Sequence, residues 1–177
     1  MKFTFKPYSN DIIFFDTEFS SNDPKTAELL SLGMVKMSGE ELYLELKVNK
    51  PVSKWVEKNV MPKLTNDKIS PITARRKINE FVGKKKYYLM AYVVPFDYVY
   101  LYKMLGYKDL NSMPFYWPPL DFASILFGNN ISPKAYYNKD NENFFKDIGV
   151  DAGKYNHHNA LGDAQLLREV YMKMVKT

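Results

Sequence analysis

Asp11-Ile12-Ile13-Phe14-Phe15-Asp16-Thr17-Glu18-Phe19 is a short, unbroken apolar run that closes on alternating acids. An apolar stretch of this length with no polar interruption is the pattern of a central strand covered on both faces. Side chains two apart on a strand project to the same side, so Asp16 and Glu18 stand next to each other at its C-terminal end. Paired carboxylates in that position repel one another unless a cation bridges them.

Outward from this strand, residues 28–37 and 41–48 read as two further strands joined by the Ser38-Gly39-Glu40 turn. Residues 51–64 predict a short helix stopped near Pro62, and residues 71–82 a second one with Pro71 at a tolerated first position. A fourth strand is expected over 87–92. Pro95 then opens a helix whose apolar positions are Phe96, Val99, Tyr100, Met104 and Leu105, and Gly106 closes it. A fifth strand is expected within 113–119, Asp121 caps a helix through Phe127, and a brief helix covers 144–148. After the loop 149–158, Ala160, Leu161, Ala164, Leu167, Val170, Tyr171 and Met174 have helical spacing. No repeat, linker or low-complexity stretch divides the chain, so residues 1–177 are expected to form a single α/β domain.

Composition narrows the chemistry. With no cysteine, disulfides, thiolate-bound zinc and thiol nucleophiles are excluded. The two histidines are adjacent, His157 and His158, so metal chemistry must rest on carboxylate oxygen, which suits magnesium or manganese. A net charge of +5, carried by lysine and by only Arg75, Arg76 and Arg168, is compatible with a polyanionic partner. No segment has the length and apolarity to span a membrane, so the expected location is intracellular, in the cytoplasm.

Four acids stand out by position: Asp16 and Glu18 ending the first strand, Asp97 opening the helix after the fourth, and Asp163 opening the last helix. In an open α/β sheet these points meet at the carboxyl ends of the strands, where ligand sites form. Two divalent ions would turn the mutual repulsion of such a group into coordination, as in phosphoryl transfer. His158, five residues ahead of Asp163, suits the removal of a proton from water near neutral pH.

These residues resemble a known family, the exonucleases with four acidic ligands and a histidine base, the DEDDh group. Phe14-Phe15-Asp16-Thr17-Glu18-Phe19 is similar to its first motif, Phe96-Asp97 to its second and His158-Asn159-Ala160-Leu161-Gly162-Asp163-Ala164 to its third. Leu120-Asp121 resembles the strand-to-helix aspartate between the second and third motifs, whose role is structural. Glu28-Leu29-Leu30-Ser31-Leu32-Gly33 and Trp55-Val56-Glu57-Lys58-Asn59-Val60-Met61-Pro62-Lys63-Leu64 resemble the compact mycobacterial-type 3′-to-5′ exoribonuclease branch.

The resemblance implies a ribonuclease H-like mixed five-stranded sheet with helices on both faces. It further implies that Asp16, Glu18, Asp97 and Asp163 bind two Mg2+ or Mn2+ ions and that His158 is the general base. The expected activity is release of nucleoside 5′-monophosphates from the 3′ end of single-stranded or overhanging nucleic acid, RNA before DNA. A DNA-directed exonuclease and a catalytically silent nucleic-acid-binding protein are the alternatives, and a homodimer is among the assemblies allowed. Most of the wider group carry a His-Asn pair where this chain has Tyr92-Val93, which reads as altered substrate contact rather than lost catalysis.

For the substrate, exposed aromatics stack on bases with little sequence preference, which makes Phe19 the first candidate and Tyr92 the second. Thr17 is expected on family grounds to present its amide or hydroxyl to the terminal ribose, with Glu18 and His158 also touching substrate. Lys134, Lys139 and Lys154 are the phosphate candidates, whereas Lys84-Lys85-Lys86 reads as a solvated turn at the opposite end of the sheet and Trp55 as a packing or subunit-contact residue.

Overall fold

The computed structural model describes residues 6–23, 25–136 and 142–175. Five strands, β1 (Ile12–Phe19), β2 (Leu29–Lys36), β3 (Glu41–Glu45), β4 (Tyr88–Ala91) and β5 (Leu120–Asp121), form one sheet in the order β3-β2-β1-β4-β5. β1 pairs antiparallel with β2 and β2 with β3, whereas β1 with β4 and β4 with β5 are parallel. The sheet is therefore mixed, as expected.

The first strand explains the layering. Ile13 and Phe15 enter one core with α2 (Pro71–Val82) and α3 (Val94–Leu105), through Ala74, Ile78, Leu101 and Leu105. Ile12 and Phe14 enter the other, with α4 (Phe122–Gly128), α5 (Glu142–Ile148) and α6 (Ala160–Met174), through Phe122, Leu126, Leu167 and Val170. All four β1 residues are at most 1% exposed, so the unbroken apolar run follows from having a helix layer on each side. A small third core joins α1 (Lys54–Asn59) to β2 through Val56, Val60 and Leu30.

Helix starts follow the capping chemistry of the sequence. Ser53, Ser70, Asp121 and Asn159 each accept a backbone N–H of the first turn of α1, α2, α4 and α6. Gly106 ends α3 in the left-handed conformation, with φ 59°.

Three details differ from expectation. Pro62 does not stop α1, which ends at Asn59; it sits inside a following 3-10 turn, Met61–Lys63, where its missing N–H is tolerated. The fifth strand is confined to Leu120–Asp121, with a lone bridge from Phe115 to Tyr87, because Pro118 and Pro119 have no N–H to continue a ladder. On α3 the buried positions are Val94, Asp97, Tyr100, Leu101 and Leu105, so Phe96 and Val99 face outward, 57% and 42% exposed. The helix is turned to bury an acid, which an apolar count alone does not register. Residues 137–141, part of the loop expected around Asn138 and Lys139, lie outside the described residues.

Candidate active site

Asp16 and Glu18 have the same strand parity as Ile12 and Phe14, so they face the α6 layer at the C-terminal end of β1. Asp163 lies in the first turn of α6. One carboxylate oxygen from each of Asp16, Glu18 and Asp163 falls within 4.8 Å of the others, and all three side chains keep partial access to solvent.

Two glycines make this approach possible. Gly33 of β2 lies opposite Asp16, and a Cβ there would come 2.3 Å from the Ala160 backbone. A Cβ on Gly162 would come 2.5 Å from the Asn156 carbonyl oxygen. The start of α6 is thus pressed between the sheet and the preceding loop. Asn159 fixes it there: Oδ1 accepts the Gly162 N–H at 3.1 Å and Nδ2 donates to the Tyr43 hydroxyl at 3.2 Å.

Asp97 arrives from the other layer. It is buried, 8% exposed, and its Oδ1 accepts both the backbone N–H of Thr17 at 2.9 Å and the Thr17 hydroxyl at 2.7 Å. Asp97 is not one of the three mutually close carboxylates, yet its charge reaches Asp16 and Glu18. Thr17, expected to meet a ribose, directs both of its donors to Asp97. The α3 start that carries Asp97 is tied to β5, because Asp121 Oδ1 accepts the Val94 N–H at 3.1 Å while its Oδ2 caps α4 at 2.8 Å. The structural reading of Asp121 fits these bonds.

The electrostatics are those of a crowded anionic pocket. Burial first, and then the charges of Asp97, Asp163 and Glu18, hold the Asp16 carboxyl well above the usual range. Burial followed by Asp163 and Asp97 pushes Glu18 up to about 8, against the lowering effect of Lys63. Asp97 is pushed up to about 6 by burial, opposed by its bonds from Thr17. Asp163 is raised by burial and held back by His157, the His158 amide and Lys63. Without a cation, some of the four stay protonated at neutral pH, whereas divalent cations would compensate the charge of the ionised set directly. The all-oxygen donor set therefore suits a divalent cation.

The histidine loop is arranged differently from a single free base. The His158 backbone N–H donates to Asp163 Oδ2 at 2.9 Å, and His158 has a left-handed backbone, φ 55°. Its ring meets Trp55 edge-on, with centroids 5.2 Å apart. It is the His157 ring that lies beside the acid, with Nδ1 3.5 Å from Asp163 Oδ1. Trp55, read as a packing or subunit-contact residue, is 54% exposed and borders this loop. Lys63 donates from Nζ to the His157 carbonyl oxygen.

Phe19 stacks on Tyr100 at 4.4 Å and lines, with Asn22 and Phe96, an open hollow of about 330 Å³ at the C-terminal end of β1. Tyr92 stacks on Tyr136 at 4.4 Å and donates its hydroxyl to the Pro133 carbonyl, so it belongs to the packing of the α4–α6 side of the sheet. Tyr136 is itself close enough to Asp163 and Asp16 that their charges, after burial, raise its hydroxyl pKa.

Among the phosphate candidates, Lys154 is exposed and pairs with Asp151 at 3.8 Å, Lys134 is exposed, and Lys139 lies outside the described residues. Lys85 pairs with Asp11 at the far end of β1, in keeping with a solvated turn. Lys63, His157, Phe96 and Tyr136 are neighbours that the sequence reading did not place in the site, and Trp55 one that it assigned to packing or subunit contact. The adjacency of His157 to His158 and of Phe96 to Asp97 was a usable signal; Lys63, Trp55 and Tyr136 carried none.

No family model matches the chain, and neither does any curated protein. Solved structures do. Exonuclease I, in a structure interpreted in terms of how processivity is achieved, superposes with a TM-score of 0.68 at 13% identity, over 92% of this chain and 40% of that one. The zinc-bound complex of Escherichia coli exonuclease I with single-stranded DNA gives 0.66 at 14%, over 92% and 39%. The E. coli enzyme with a dT13 oligonucleotide gives 0.66 at 16%, over 92% and 40%. This chain spans about two fifths of the length of those proteins. At such identity the likeness shows the fold: a ribonuclease H-like α/β sheet with helices on both faces.

Proposed function

We propose that residues 1–177 form one exonuclease domain that hydrolyses phosphodiester bonds at the 3′ end of single-stranded or overhanging nucleic acid, with Mg2+ or Mn2+ as cofactor. The observation that carries this reading is the convergence of Asp16, Glu18 and Asp163 within 4.8 Å, at the strand ends of a fold shared with exonuclease I. Asp16, Glu18 and Asp163 would hold the cations, with Asp97, oriented by Thr17, completing the set. The bound cations would supply Lewis acidity and a lowered pKa for attacking water.

The chain's own groups do the rest. His158 takes the proton of the attacking water, and the hollow between Phe19 and Phe96 receives the terminal nucleoside by stacking. Tyr92 packs on Tyr136, on the α4–α6 side of the sheet, rather than touching a base. Within this reading the compact mycobacterial-type branch and an RNA substrate are the finer assignment. The DNA oligonucleotides bound by the structurally similar exonuclease I favour a DNA-directed exonuclease as the second reading.

The test is a chase of 5′-labelled RNA and DNA oligomers, single-stranded and with 3′ overhangs, in each metal. Wild-type protein is expected to release 5′-mononucleotides stepwise, and Asp16→Ala or Asp163→Ala to lower the rate by at least about a thousandfold. Wild-type protein that binds oligomers but releases nothing in either metal would leave a binding protein of nuclease fold.

A further inference from the structure

The peptide group joining His157 to His158 is held at both of its polar ends. Its carbonyl oxygen accepts from Lys63 Nζ, and its N–H donates to Asp163 Oδ2 at 2.9 Å. The residue that follows this peptide, His158, has φ 55°, in the left-handed region that side-chain-bearing residues adopt uncommonly. The orientation of that peptide plane decides where the His158 imidazole points. Asp163 alone could hold one end of the plane; Lys63 supplies the other from a segment 94 residues away.

Lys63 is not casually placed. It closes the 3-10 turn Met61–Lys63, directly after α1, whose Val56 and the following Val60 are buried against Leu30 of β2. Immediately beyond it, the backbone N–H groups of Thr65 and Asn66 donate to Oε1 of the buried Glu45, at 2.9 and 3.1 Å. The chain is therefore anchored on both sides of Lys63. The same segment sends Trp55 to the edge of the His158 ring.

We propose that Lys63 is a positioning residue for the reaction: by gripping the His157 carbonyl it fixes the peptide plane that sets where the His158 imidazole stands beside the carboxylate site. Lys63 touches neither substrate nor reacting atoms in this role and acts through His158. The inference rests on the nuclease reading for its effect on rate, and on the geometry alone for its effect on the histidine.

The test uses Lys63→Ala, Lys63→Met and Lys63→Arg in the full chain, with Tm as the folding control. Lys63→Ala and Lys63→Met should lower kcat about tenfold while KM and Mn2+ affinity by calorimetry stay within about twofold, and Lys63→Arg, which can still donate to a carbonyl, should recover most of the rate. Because the chain has two histidines, their imidazole proton resonances are readily separated, His157→Asn assigning them. Lys63→Ala should shift or broaden the His158 signals, and Lys63→Arg should leave them near the wild-type positions. A rise in KM at constant kcat would make Lys63 a phosphate ligand instead. Parallel loss of Mn2+ affinity would make it a support of the metal site, and unmoved His158 signals would remove the clamp. Wild-type protein with no nuclease activity would overturn the function while the histidine spectra still decide the clamp.

Discussion

A glutamate carboxyl ordinarily titrates near 4.5, and in this chain burial with the charges of Asp163 and Asp97 pushes Glu18 up to about 8. The unfolded chain therefore releases this proton before the folded one does. Below about pH 4.5 both states hold it and Glu18 costs nothing; as pH rises from about 4.5 to 8 the folded form is progressively penalised. Asp16 and Asp163 are shifted in the same direction and add to the effect. The metal-free protein should thus lose thermal stability between pH 5 and pH 8, and Glu18→Gln should flatten the profile. Added Mn2+ should raise Tm strongly at pH 8 and weakly at pH 5, where protons compete for the same oxygens. A metal-free Tm that climbs through this window would contradict the carboxylate crowding. At this scale the acids were legible in sequence because strand parity and a helix's first turn are local geometry. The nearness of the His157 ring to Asp163, with His158 turned to Trp55, was not, since it depends on one left-handed residue.

Helix α6 shows what an element needs beyond its own pattern. Its apolar spacing and Asn159 cap are readable in the chain, but its depth is set by Gly33 on a different strand. Gly33→Ala should destabilise the fold by about 1–3 kcal/mol, since the added methyl overlaps the Ala160 backbone, as measured by urea unfolding. It should also separate Asp163 from Asp16, so metal-stimulated turnover should fall well beyond what the lost stability explains. Asn159→Ala removes the cap and the bond to Tyr43 and should cost about 1 kcal/mol. Equal activity in Gly33→Ala and wild type would mean that the helix start tolerates displacement. α2 was legible to its ends because Ser70 and Pro71 mark its start and the Gly83 cap its finish. α3 was legible in extent but not in orientation, because its inward face includes Asp97, and β5 was displaced by prolines that forbid a ladder.

For the molecule as a whole, a net charge of +5 coexists with an acidic pocket, so attraction for a polyanion has to come from lysines outside the pocket and from cations within it. If the nuclease reading is right, affinity for a labelled single-stranded oligomer should weaken about tenfold between 50 and 200 mM salt, the slope of a few phosphate contacts, as followed by fluorescence anisotropy. Binding insensitive to salt would argue against a nucleic-acid backbone as ligand. Among the described residues no helix is long and apolar enough to cross a membrane.

The sequence by itself determined the two-sided central strand, the caps that start the helices, and the acids at the strand and helix ends. Each of these follows from side-chain spacing over two to four residues, which the backbone geometry of strands and helices translates directly into position. Only the tertiary structure decided that Asp97 is held by Thr17 from the opposite helix layer. It alone brought Lys63 and Trp55, about a hundred residues upstream in the chain, against the histidine loop. Those contacts arise where two helix layers and a loop segment close around one end of a sheet, and no local period encodes which side chains meet there.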